Sequence, residues 1–284
     1  MTEEPRRAPA MPAEVDPEVP NAARIYDYCL GGEHNFEADR QFGKKVISTW
    51  PTSRQLAMQN RSWLRRIVVD ALNAGIRQFL DLGSGVPTMG NVHETVRNNL
   101  PEGERARVVY VDYEPVAAER SRLILERDNA LDWAAIVQED VREPAAIFNH
   151  SDTQRLLDFD EPISLQMVAV LPFIGPDDHP DQLLDTYRGA LAPGSRLSIS
   201  QVSVDGADPE DAAQVRRVTA SYRDTLNPFW LRDRPEIEAW FDGWPMVEPG
   251  LVRLPDWKPE PDTELTTSDL DARQFCWCGV ATKP

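Results

Sequence analysis

Cysteine is scarce in this sequence, and its scarcity narrows the class of protein. Three cysteines occur, at Cys29, Cys276 and Cys278. The last two flank Trp277 in a strand-like run, where the alternation of side chains places both thiols on the same face. A disulfide framework or a metal-thiolate centre is therefore disfavoured, and we expect reduced, half-buried thiols of a cytosolic protein.

Long apolar runs are absent as well. No stretch approaches the roughly 20 apolar residues that a membrane-spanning helix needs. The N-terminus, MTEEPRRAPAMPAEVDPEVP, also lacks the apolar core of a signal peptide. Its richness in Pro, Glu and Ala predicts a disordered leader over residues 1–20. We expect a cytoplasmic protein with no membrane partner.

Positive charge is in the minority. Lys and Arg total 30 against 47 Asp and Glu, which gives a formal net charge of -17. The long-range field of such a chain repels polyphosphate, so a nucleic acid would need a local basic strip. The densest basic cluster is Arg61, Arg65 and Arg66, and ordinary solvated charge on a helix explains it more simply. We therefore expect no nucleic-acid partner.

The chain is long enough to bury a substantial core. It has 284 residues, of which 41% are hydrophobic, and one large α/β domain with additions fits this size. Helical patterns fill the first quarter: a short helix over residues 21–31, a second capped by Asn35 and running towards Trp50, and a long amphipathic helix over residues 51–75. We assign residues 21–75 to an N-terminal helical cap and residues 76–284 to the main domain.

From Ile76 onwards, short apolar runs alternate with helical patterns, as parallel sheets require. Strands are predicted at Arg77–Leu82, Arg107–Asp112, Ala134–Gln138, Ile163–Leu171 and Arg196–Val202. Helices are predicted at Asn91–Leu100, Pro115–Asn129, Pro144–Leu157 with a break near His150, His179–Leu191, Pro209–Asp224 and Arg234–Phe241. Two further strand-like runs, Met246–Leu254 and Gln274–Ala281, are joined by a polar loop and predict an antiparallel hairpin at the sheet edge. This order predicts a doubly wound α/β fold.

A glycine-containing loop follows the first predicted strand. It reads Asp81-Leu82-Gly83-Ser84-Gly85 and lies where an open α/β sheet presents the carboxyl ends of its strands to a ligand. Gly83 and Gly85 let the backbone approach a ligand closely, because no side chain blocks the amides. A lone GxG motif is weak evidence of a ligand-binding loop, so the assignment depends on the residues around it.

Acidic residues end the next two predicted strands. Asp112 is placed to accept hydrogen bonds from both ribose hydroxyls of a nucleoside, although it is also placed to cap the following helix. It lies further from Gly83 than the roughly 20 positions typical of a dinucleotide fold. Asp140 follows the third strand, where its carboxylate and the Val141 amide are suited to read the edge of an adenine ring.

Four segments resemble a known family: RIYDYCLGGEHNF at 24–36, FLDLGSGVPTMGNVHE at 79–94, VVYVDYEPVA at 108–117 and AVLPFIGPDD at 169–178. The family is a largely actinobacterial group of class I S-adenosylmethionine-dependent methyltransferases of mostly unassigned substrate. The similarity runs from about Asn21 to the C-terminus, and the pairing of LGG-x-x-NF with DLG-x-G-x-PT is distinctive.

The resemblance implies a Rossmann-like, mostly parallel seven-stranded sheet with an antiparallel last strand, and S-adenosyl-L-methionine as the cofactor. It implies that Asp81, Gly83 and Gly85 hold the methionine end. It also implies Asp112 at the ribose and Asp140 with Val141 at the adenine. The remaining cofactor-binding candidates in these segments are Tyr113 and Ala169.

Two features depart from the wider pattern. Pro87 stands where the broad methyltransferase superfamily often has a third glycine, although this family does carry the proline. Glu33-His34 stands where relatives commonly show Lys-Asp, which argues against a family-wide catalytic role for these positions.

Methyl transfer from a sulfonium mainly requires that donor and acceptor be aligned and water excluded. A hydroxyl or ammonium acceptor also needs a base, and His34 in its glycine-flanked loop is the candidate, with a loop-stabilising role as the alternative. The candidates for the acceptor pocket, with core packing or helix capping as alternatives, are Tyr26, Tyr28, Asn35, Phe173, Tyr222 and Trp230. Asp177-Asp178-His179 resembles a metal site only superficially, and N-capping after the Gly-Pro turn explains it better.

The sequence thus predicts an S-adenosylmethionine-dependent methyltransferase acting on an O or N of a small molecule, such as a specialised metabolite. A cofactor-binding regulator or scaffold on the same fold is one alternative, and an NAD(P)-dependent oxidoreductase is another. No metal is expected, and a homodimer is left open.

Overall fold

The computed structural model describes residues 15–87, 90–261 and 264–284. Most of the leader predicted over residues 1–20, and Thr88 of the glycine-loop motif, lie outside the described residues. The helices are α1 (Ala22–Cys29), α2 (Glu37–Thr49), α3 (Ser53–Asn73), α4 (Val92–Asn99), α5 (Pro115–Arg127), α6 (Pro144–Asn149), α7 (Ser151–Leu156), α8 (Pro180–Ala190), α9 (Pro209–Ser221), α10 (Arg234–Ala239) and α11 (Thr267–Arg273). Within the described parts of the chain, no helix has the length and apolar character to cross a membrane.

Seven strands form one sheet in the order β3-β2-β1-β4-β5-β7-β6. They are β1 (Gln78–Leu82), β2 (Arg107–Val111), β3 (Ala134–Val137), β4 (Ile163–Val168), β5 (Arg196–Val202), β6 (Val252–Arg253) and β7 (Cys276–Thr282). The first five run parallel, and β7 runs antiparallel between β5 and β6. The prediction of a doubly wound sheet with an antiparallel last strand is confirmed.

The strand order reverses at β1, with β2 on one side and β4 on the other. Parallel pairing places Leu82 beside Val111 and Asp81 beside Gln166, so the carboxyl ends of three strands meet at one edge. A switch point of this kind opens a crevice in which α/β proteins bind ligands. The candidate site lies at this edge.

Both faces of the sheet are covered, which is why the parallel strands are almost continuously apolar. Phe79 and Leu80 are fully buried and point to opposite faces, as alternation along a strand requires. Phe79 packs in a core cluster with residues of α1, α2, α3 and α9, whereas Leu80 packs in one with residues of α6, α7, α8 and α10. The N-terminal helices therefore share the core of one face of the sheet.

A buried ion-pair network fixes these N-terminal helices. The Arg24 guanidinium of α1 contacts Asp39 of α2 at 2.8 Å and Glu114, just before α5, at 2.6 Å. All three side chains are at most 4% exposed. Asp39 also accepts hydrogen bonds from the backbone N–H groups of Asn21 and Phe36. Two helices are thereby held against the segment that follows β2.

The structure corrects three details of the sequence prediction. Asn35 does not cap α2: the N-cap is Phe36, and the Asn35 amide donates to Asp27 and to the Gly32 carbonyl. The strand predicted to reach Leu171 ends at Val168, because Ala169 adopts a φ of +58°. The polar loop before β7 contains α11, which the capping box of Thr266 and Asp269 begins.

Other local predictions are confirmed. The helix predicted to break near His150 is divided into α6 and α7, and the His150 ring accepts a hydrogen bond from the Asp152 N–H at 3.2 Å. The three cysteines are free, as predicted, but they are buried, so the prediction that they are half-buried is wrong. Met246 forms a bridge to Ala281, which extends the predicted terminal hairpin.

Replacing Arg24 by Met leaves two buried carboxylates without their cation, so we expect the free energy of unfolding to fall by about 3–5 kcal/mol. The matched control is Arg155→Met in α7, which removes a pair with Asp152 whose members are 45% and 37% exposed. That change should cost less than about 1 kcal/mol. Urea denaturation at pH 7 measures both losses, and equal losses would contradict the importance of the network.

Candidate functional site

A cavity of about 380 Å³ lies at the carboxyl ends of β1, β2 and β4. Its volume is within the range of about 300–1,000 Å³ that is typical of small-molecule sites. Every cofactor-binding residue predicted from the sequence lines it: Asp81, Gly83, Gly85, Asp112, Tyr113, Asp140, Val141 and Ala169. The fold thus brings together residues that lie as far apart as positions 81 and 169.

The glycine loop is folded back onto the end of β2. The amides of Gly83 and Ser84 both donate to the Val111 carbonyl, at 2.8 and 3.1 Å. Gly83 has a φ of +65°, and a Cβ there would overlap the side chain of Val170, which follows β4. Glycine is therefore required at position 83 both by the backbone conformation and by the close approach of Val170.

Asp112 connects this loop to the start of α5. One carboxylate oxygen accepts from the Gly85 N–H at 2.7 Å and the other from the Glu114 N–H at 2.9 Å. Burial raises the pKa of Asp112 to about 6. The helix-cap alternative for Asp112 is not observed, because the cap of α5 is Glu114, which accepts from the Ala117 N–H. A carboxylate has about four acceptor positions, so Asp112 keeps capacity for a ligand.

At the base of the cavity lie a buried carboxylate and a buried guanidinium, neither of which is in an ion pair with a described residue. Asp81 is 3% exposed and Arg61 is 9% exposed. Arg61 reaches the carbonyls of Ser84 and Val86 at 3.4 Å, and its buried Nε has no hydrogen-bond partner. Burial raises the pKa of Asp81 to about 7, and nearby Arg61 opposes this rise. An ammonium and a carboxylate on one ligand would satisfy both groups.

Sequence reasoning missed Arg61, because it assigned the Arg61, Arg65 and Arg66 cluster to a solvated helix face. That interpretation is wrong for Arg61. A signal was available: Arg61 lies four residues after Ala57 and three before Leu64, both of which are buried in α3. Such spacing places Arg61 on the apolar face of the helix, and a cation there needs a partner.

The other end of the cavity is acidic. Although burial opposes it, hydrogen bonds from Arg142 lower the pKa of Asp140. The Arg142 side chain holds Asp140 at 2.5 and 3.0 Å and also contacts Asp178 at 3.4 Å. Asp178 accepts from the Gly175 N–H at 2.9 Å, which caps the 3-10 turn that begins at Pro176. Val141, the next residue after Asp140, is buried and lines the same cavity.

The structure places the acceptor-pocket candidates in different environments. Tyr26, Phe173 and Trp230 line the cavity. Tyr222 lines a second, smaller cavity, whereas Tyr28 and Asn35 line neither. The Tyr28 ring packs against Gly43 of α2, and the Asn35 amide secures the loop before that helix.

The histidines lie off the cavity wall. His34 is half-buried, its backbone N–H donates to Asp27 at 2.8 Å, and burial lowers its pKa. His93 is buried in α4, where its ring contacts the Tyr110 hydroxyl at 2.7 Å and Asp128 at 3.3 Å. The Asp128 carboxylate also forms an ion pair with the Arg127 guanidinium at 2.9 Å, so it already has a counter-charge.

Hydrogen bonds join two segments of the chain at the rim of the cavity. The Tyr113 hydroxyl, next to Asp112, accepts from the amides of Asn21, at 3.3 Å, and of Asn227. Asn227 in turn accepts from the Ala22 N–H at 2.9 Å. The start of α1 and the loop after α9 therefore meet above the site.

The sheet order with its antiparallel β7, together with a switch-point cavity lined by Gly83, Gly85, Asp112 and Asp140, defines a class I S-adenosylmethionine-dependent methyltransferase. Residues 8–284 match the protein family described as S-adenosyl methyltransferase, and the chain belongs to that family. Its cofactor is S-adenosylmethionine. The oxidoreductase alternative finds no support in this membership.

Solved structures of similar proteins support this family assignment. A Thermobifida fusca protein is 36% identical, with 94% of this chain and 96% of that chain covered and a TM-score of 0.83. A DUF574 family protein from Streptomyces avermitilis is 33% identical, with 95% and 99% covered and a TM-score of 0.85. An O-methyltransferase family protein from Burkholderia thailandensis shares the fold at 12% identity, with 82% and 58% covered and a TM-score of 0.51. No protein of curated function matches the chain.

Gly83→Ala should lower the free energy of unfolding by about 1–2 kcal/mol for the left-handed backbone and roughly a further 1–3 kcal/mol for the overlap with Val170. Gly85→Ala is the matched control. Gly85 has a similar φ of +68°, but a Cβ added there would lie 3.9 Å from the nearest described side chain, that of Arg61. Urea denaturation should show the larger loss for Gly83→Ala, and the added change Val170→Ala should recover part of it. Equal losses in both single variants would argue against the close approach.

Proposed function

We propose that this protein transfers the methyl group of S-adenosylmethionine to an O or N of a small molecule in the cytoplasm. The observation that carries the proposal is the pair of buried charges, Asp81 and Arg61, which lie beside the glycine loop and form no salt bridge with a described residue. Buried charges without a directly bonded counter-ion are costly, so a ligand that supplies both counter-charges is favoured there. The amino-acid end of S-adenosylmethionine carries one ammonium and one carboxylate.

Each end of the cofactor then has its partners. Asp81 receives the ammonium and Arg61 the carboxylate. Asp112 accepts hydrogen bonds from the ribose hydroxyls, with Tyr113 beside it. Asp140 and Val141 contact the adenine, and Ala169 lies against the cofactor at the end of β4.

Bound S-adenosylmethionine supplies an electrophilic methyl group on a sulfonium. The protein's part is to align the acceptor with that group and to exclude water. Tyr26, Phe173 and Trp230 present aromatic rings to the cavity, and ring faces attract a sulfonium through its positive charge. The hydrogen bond between Asn227 and Ala22 joins two segments of the chain at the rim of the site.

For His34 we favour the loop-stabilising role over that of a base. Its ring does not line the cavity, and its backbone N–H, not the ring, makes the contact with Asp27. A base would have to lie within hydrogen-bond reach of the acceptor.

The assignment of the amino-acid end is tested with two ligands, S-adenosylhomocysteine and 5′-methylthioadenosine, which lacks the amino-acid group. Arg61→Met should lower the affinity for S-adenosylhomocysteine about 10-fold or more, which is a typical loss for a charge-assisted pair. The affinity for 5′-methylthioadenosine should not change. Asp112→Ala should weaken the binding free energy of both ligands by about 1.5–3 kcal/mol, because both carry the ribose. Isothermal titration calorimetry measures each affinity.

The matched control is Arg65→Met on the same helix, whose side chain is 47% exposed and should affect neither ligand. A wild-type protein that binds neither S-adenosylhomocysteine nor S-adenosylmethionine would refute the proposed function.

The affinity for S-adenosylhomocysteine should fall as pH is lowered from 8 to 6.5. Asp81 has a pKa of about 7, so it is ionised above that pH and becomes protonated below it, when it loses its attraction for the ligand ammonium. Asp81→Asn should bind more weakly at pH 8 and show a flat profile. 5′-Methylthioadenosine is the control ligand, and a decline of the same steepness for it would assign the pH dependence elsewhere.

A further inference from the structure

A left-handed turn ends β4 at the wall of the cofactor cavity. Four of the described residues other than glycine have a positive φ: Asn129, Ala169, His179 and Lys258. Of these, Ala169, with a φ of +58°, is the one that lines the cavity. The left-handed conformation is disfavoured for a residue with a Cβ, and strain of this kind occurs mainly at functional sites. The conformation of Ala169 therefore requires a stabilising interaction from elsewhere in the protein.

Ser200 of β5 supplies that interaction. Its hydroxyl oxygen accepts a hydrogen bond from the Ala169 N–H at 2.9 Å. Alanine has no polar side-chain atom with which to stabilise the turn itself, as an asparagine would. Ser200 is fully buried, and it lines neither the cofactor cavity nor the second, smaller cavity. Any effect of the Ser200 hydroxyl on the cofactor cavity is therefore transmitted through Ala169.

Further hydrogen bonds orient the Ser200 hydroxyl. It donates to Oδ1 of Asn60 at 2.7 Å, and Nδ2 of Asn60 donates to the Tyr26 hydroxyl at 3.1 Å. Tyr26 in turn donates to the Ala57 carbonyl at 3.1 Å. A hydroxyl has one proton and two lone pairs, so donation to Asn60 leaves the oxygen free to accept from the Ala169 N–H. Helices α1 and α3 thus fix the group that holds the turn.

The turn directs the next residue, Val170, onto the glycine loop. A Cβ at Gly83 would lie 2.4 Å from Cγ2 of Val170 and 2.8 Å from its Cβ, so the Val170 side chain packs directly against the Gly83 backbone. Gly83 lies two residues after Asp81, and both line the cofactor cavity. A change of φ at Ala169 from positive to negative would alter the direction in which the chain leaves β4 and would break the contact between Val170 and Gly83.

We propose that Ser200 is a positioning residue for the cofactor. Its hydroxyl holds Ala169 in the left-handed turn, which keeps Val170 packed on Gly83 and keeps the glycine loop in the place where it meets the methionine end of S-adenosylmethionine. The inference rests on the proposed function, because it concerns how tightly the cofactor is held. It assigns a role in cofactor binding to a buried side chain that lies outside the cavity.

Ser200→Ala tests the proposal by removing one oxygen atom. Without the hydrogen bond, the left-handed turn competes with ordinary conformations of Ala169, which are favoured over it by roughly 5–30-fold for a residue with a Cβ. The apparent affinity of a ligand falls with the fraction of chains in the binding-competent conformation. The affinity for S-adenosylhomocysteine should therefore fall about 5-fold or more. Isothermal titration calorimetry measures this affinity.

Ser195→Ala is the matched control. Ser195 is also fully buried, and its hydroxyl accepts from a backbone N–H at the opposite end of β4, that of Ile163, at 3.0 Å. Each variant therefore leaves one buried backbone N–H without its serine acceptor. Urea denaturation should show that both variants are folded and less stable than the wild type, whereas Ser200→Ala alone should bind S-adenosylhomocysteine more weakly.

The change Ala169→Gly separates positioning from a loss of stability. Glycine adopts positive and negative φ about equally readily, so about half of the chains would keep the required turn without the Ser200 hydroxyl. Ala169→Gly alone is the reference, because it reports the effect of removing the alanine methyl from the cavity wall. With glycine at position 169, Ser200→Ala should lower the affinity for S-adenosylhomocysteine only about 2-fold, compared with about 5-fold or more with alanine there.

The ligand 5′-methylthioadenosine locates the effect within the cavity. It lacks the amino-acid group, so under the proposed function it makes no ion pair with Asp81 or Arg61 beside the glycine loop. A displaced glycine loop should therefore affect it less. Ser200→Ala should lower the affinity for 5′-methylthioadenosine by a smaller factor than the affinity for S-adenosylhomocysteine.

The outcomes separate the two proposals. Equal affinities of Ser200→Ala and Ser195→Ala for S-adenosylhomocysteine, or the same loss with glycine as with alanine at position 169, would overturn the positioning role even when the wild type binds normally. Equal losses for the two ligands would overturn the route through Gly83. Absence of S-adenosylhomocysteine binding by the wild type would instead overturn the proposed function, and urea denaturation of the same variants would still report whether Ser200 holds the turn.

Discussion

The buried Arg24 guanidinium, held between Asp39 and Glu114, is the interaction on which the site depends. It joins α1 and α2 to the residue that caps α5, two positions after Asp112. Together with the hydrogen bonds of Asn21 and Ala22, it fixes the start of α1 above the carboxyl ends of the strands. The rim contacts of Tyr113 and the wall formed by Tyr26 both depend on where α1 lies. One satisfied buried charge network thus positions both the entrance and one wall of the site.

A second set of buried charges has no salt bridge within the described residues, and this contrast gives the site its chemistry. Arg24 is neutralised within the protein, whereas Arg61 and Asp81 are not in ion pairs with described residues. Proteins rarely bury charges without a partner, because the free-energy cost of desolvation is then not offset by an ion pair. The lining of the two cavities differs in the same respect: charged residues line the cofactor cavity, whereas uncharged residues line the second, smaller cavity.

Much of the fold and of the cofactor cavity was predictable, because both depend on local patterns. The glycine loop, Asp112 and Asp140 each follow a parallel strand, and parallel strands end at the same edge of a sheet. The aromatic candidates were less predictable. Tyr222 lines the second, smaller cavity and Tyr28 packs on Gly43, yet periodicity alone could not distinguish these environments. Arg61 was missed because a charged residue on a helix usually faces solvent.

The sequence by itself determined the order of strands and helices, the turn that only glycine at position 83 can make, and the family to which the chain belongs. These follow from residue type and spacing within short segments. Only the tertiary structure decided that Arg61 is buried beside Asp81, that His34 lies off the cavity wall, and that a second cavity with an uncharged lining adjoins the cofactor cavity. Helical spacing already places Arg61 on the apolar face of α3, but the groups that it meets and the position of each cavity are set by long-range packing where α1, α3 and α9 meet the sheet.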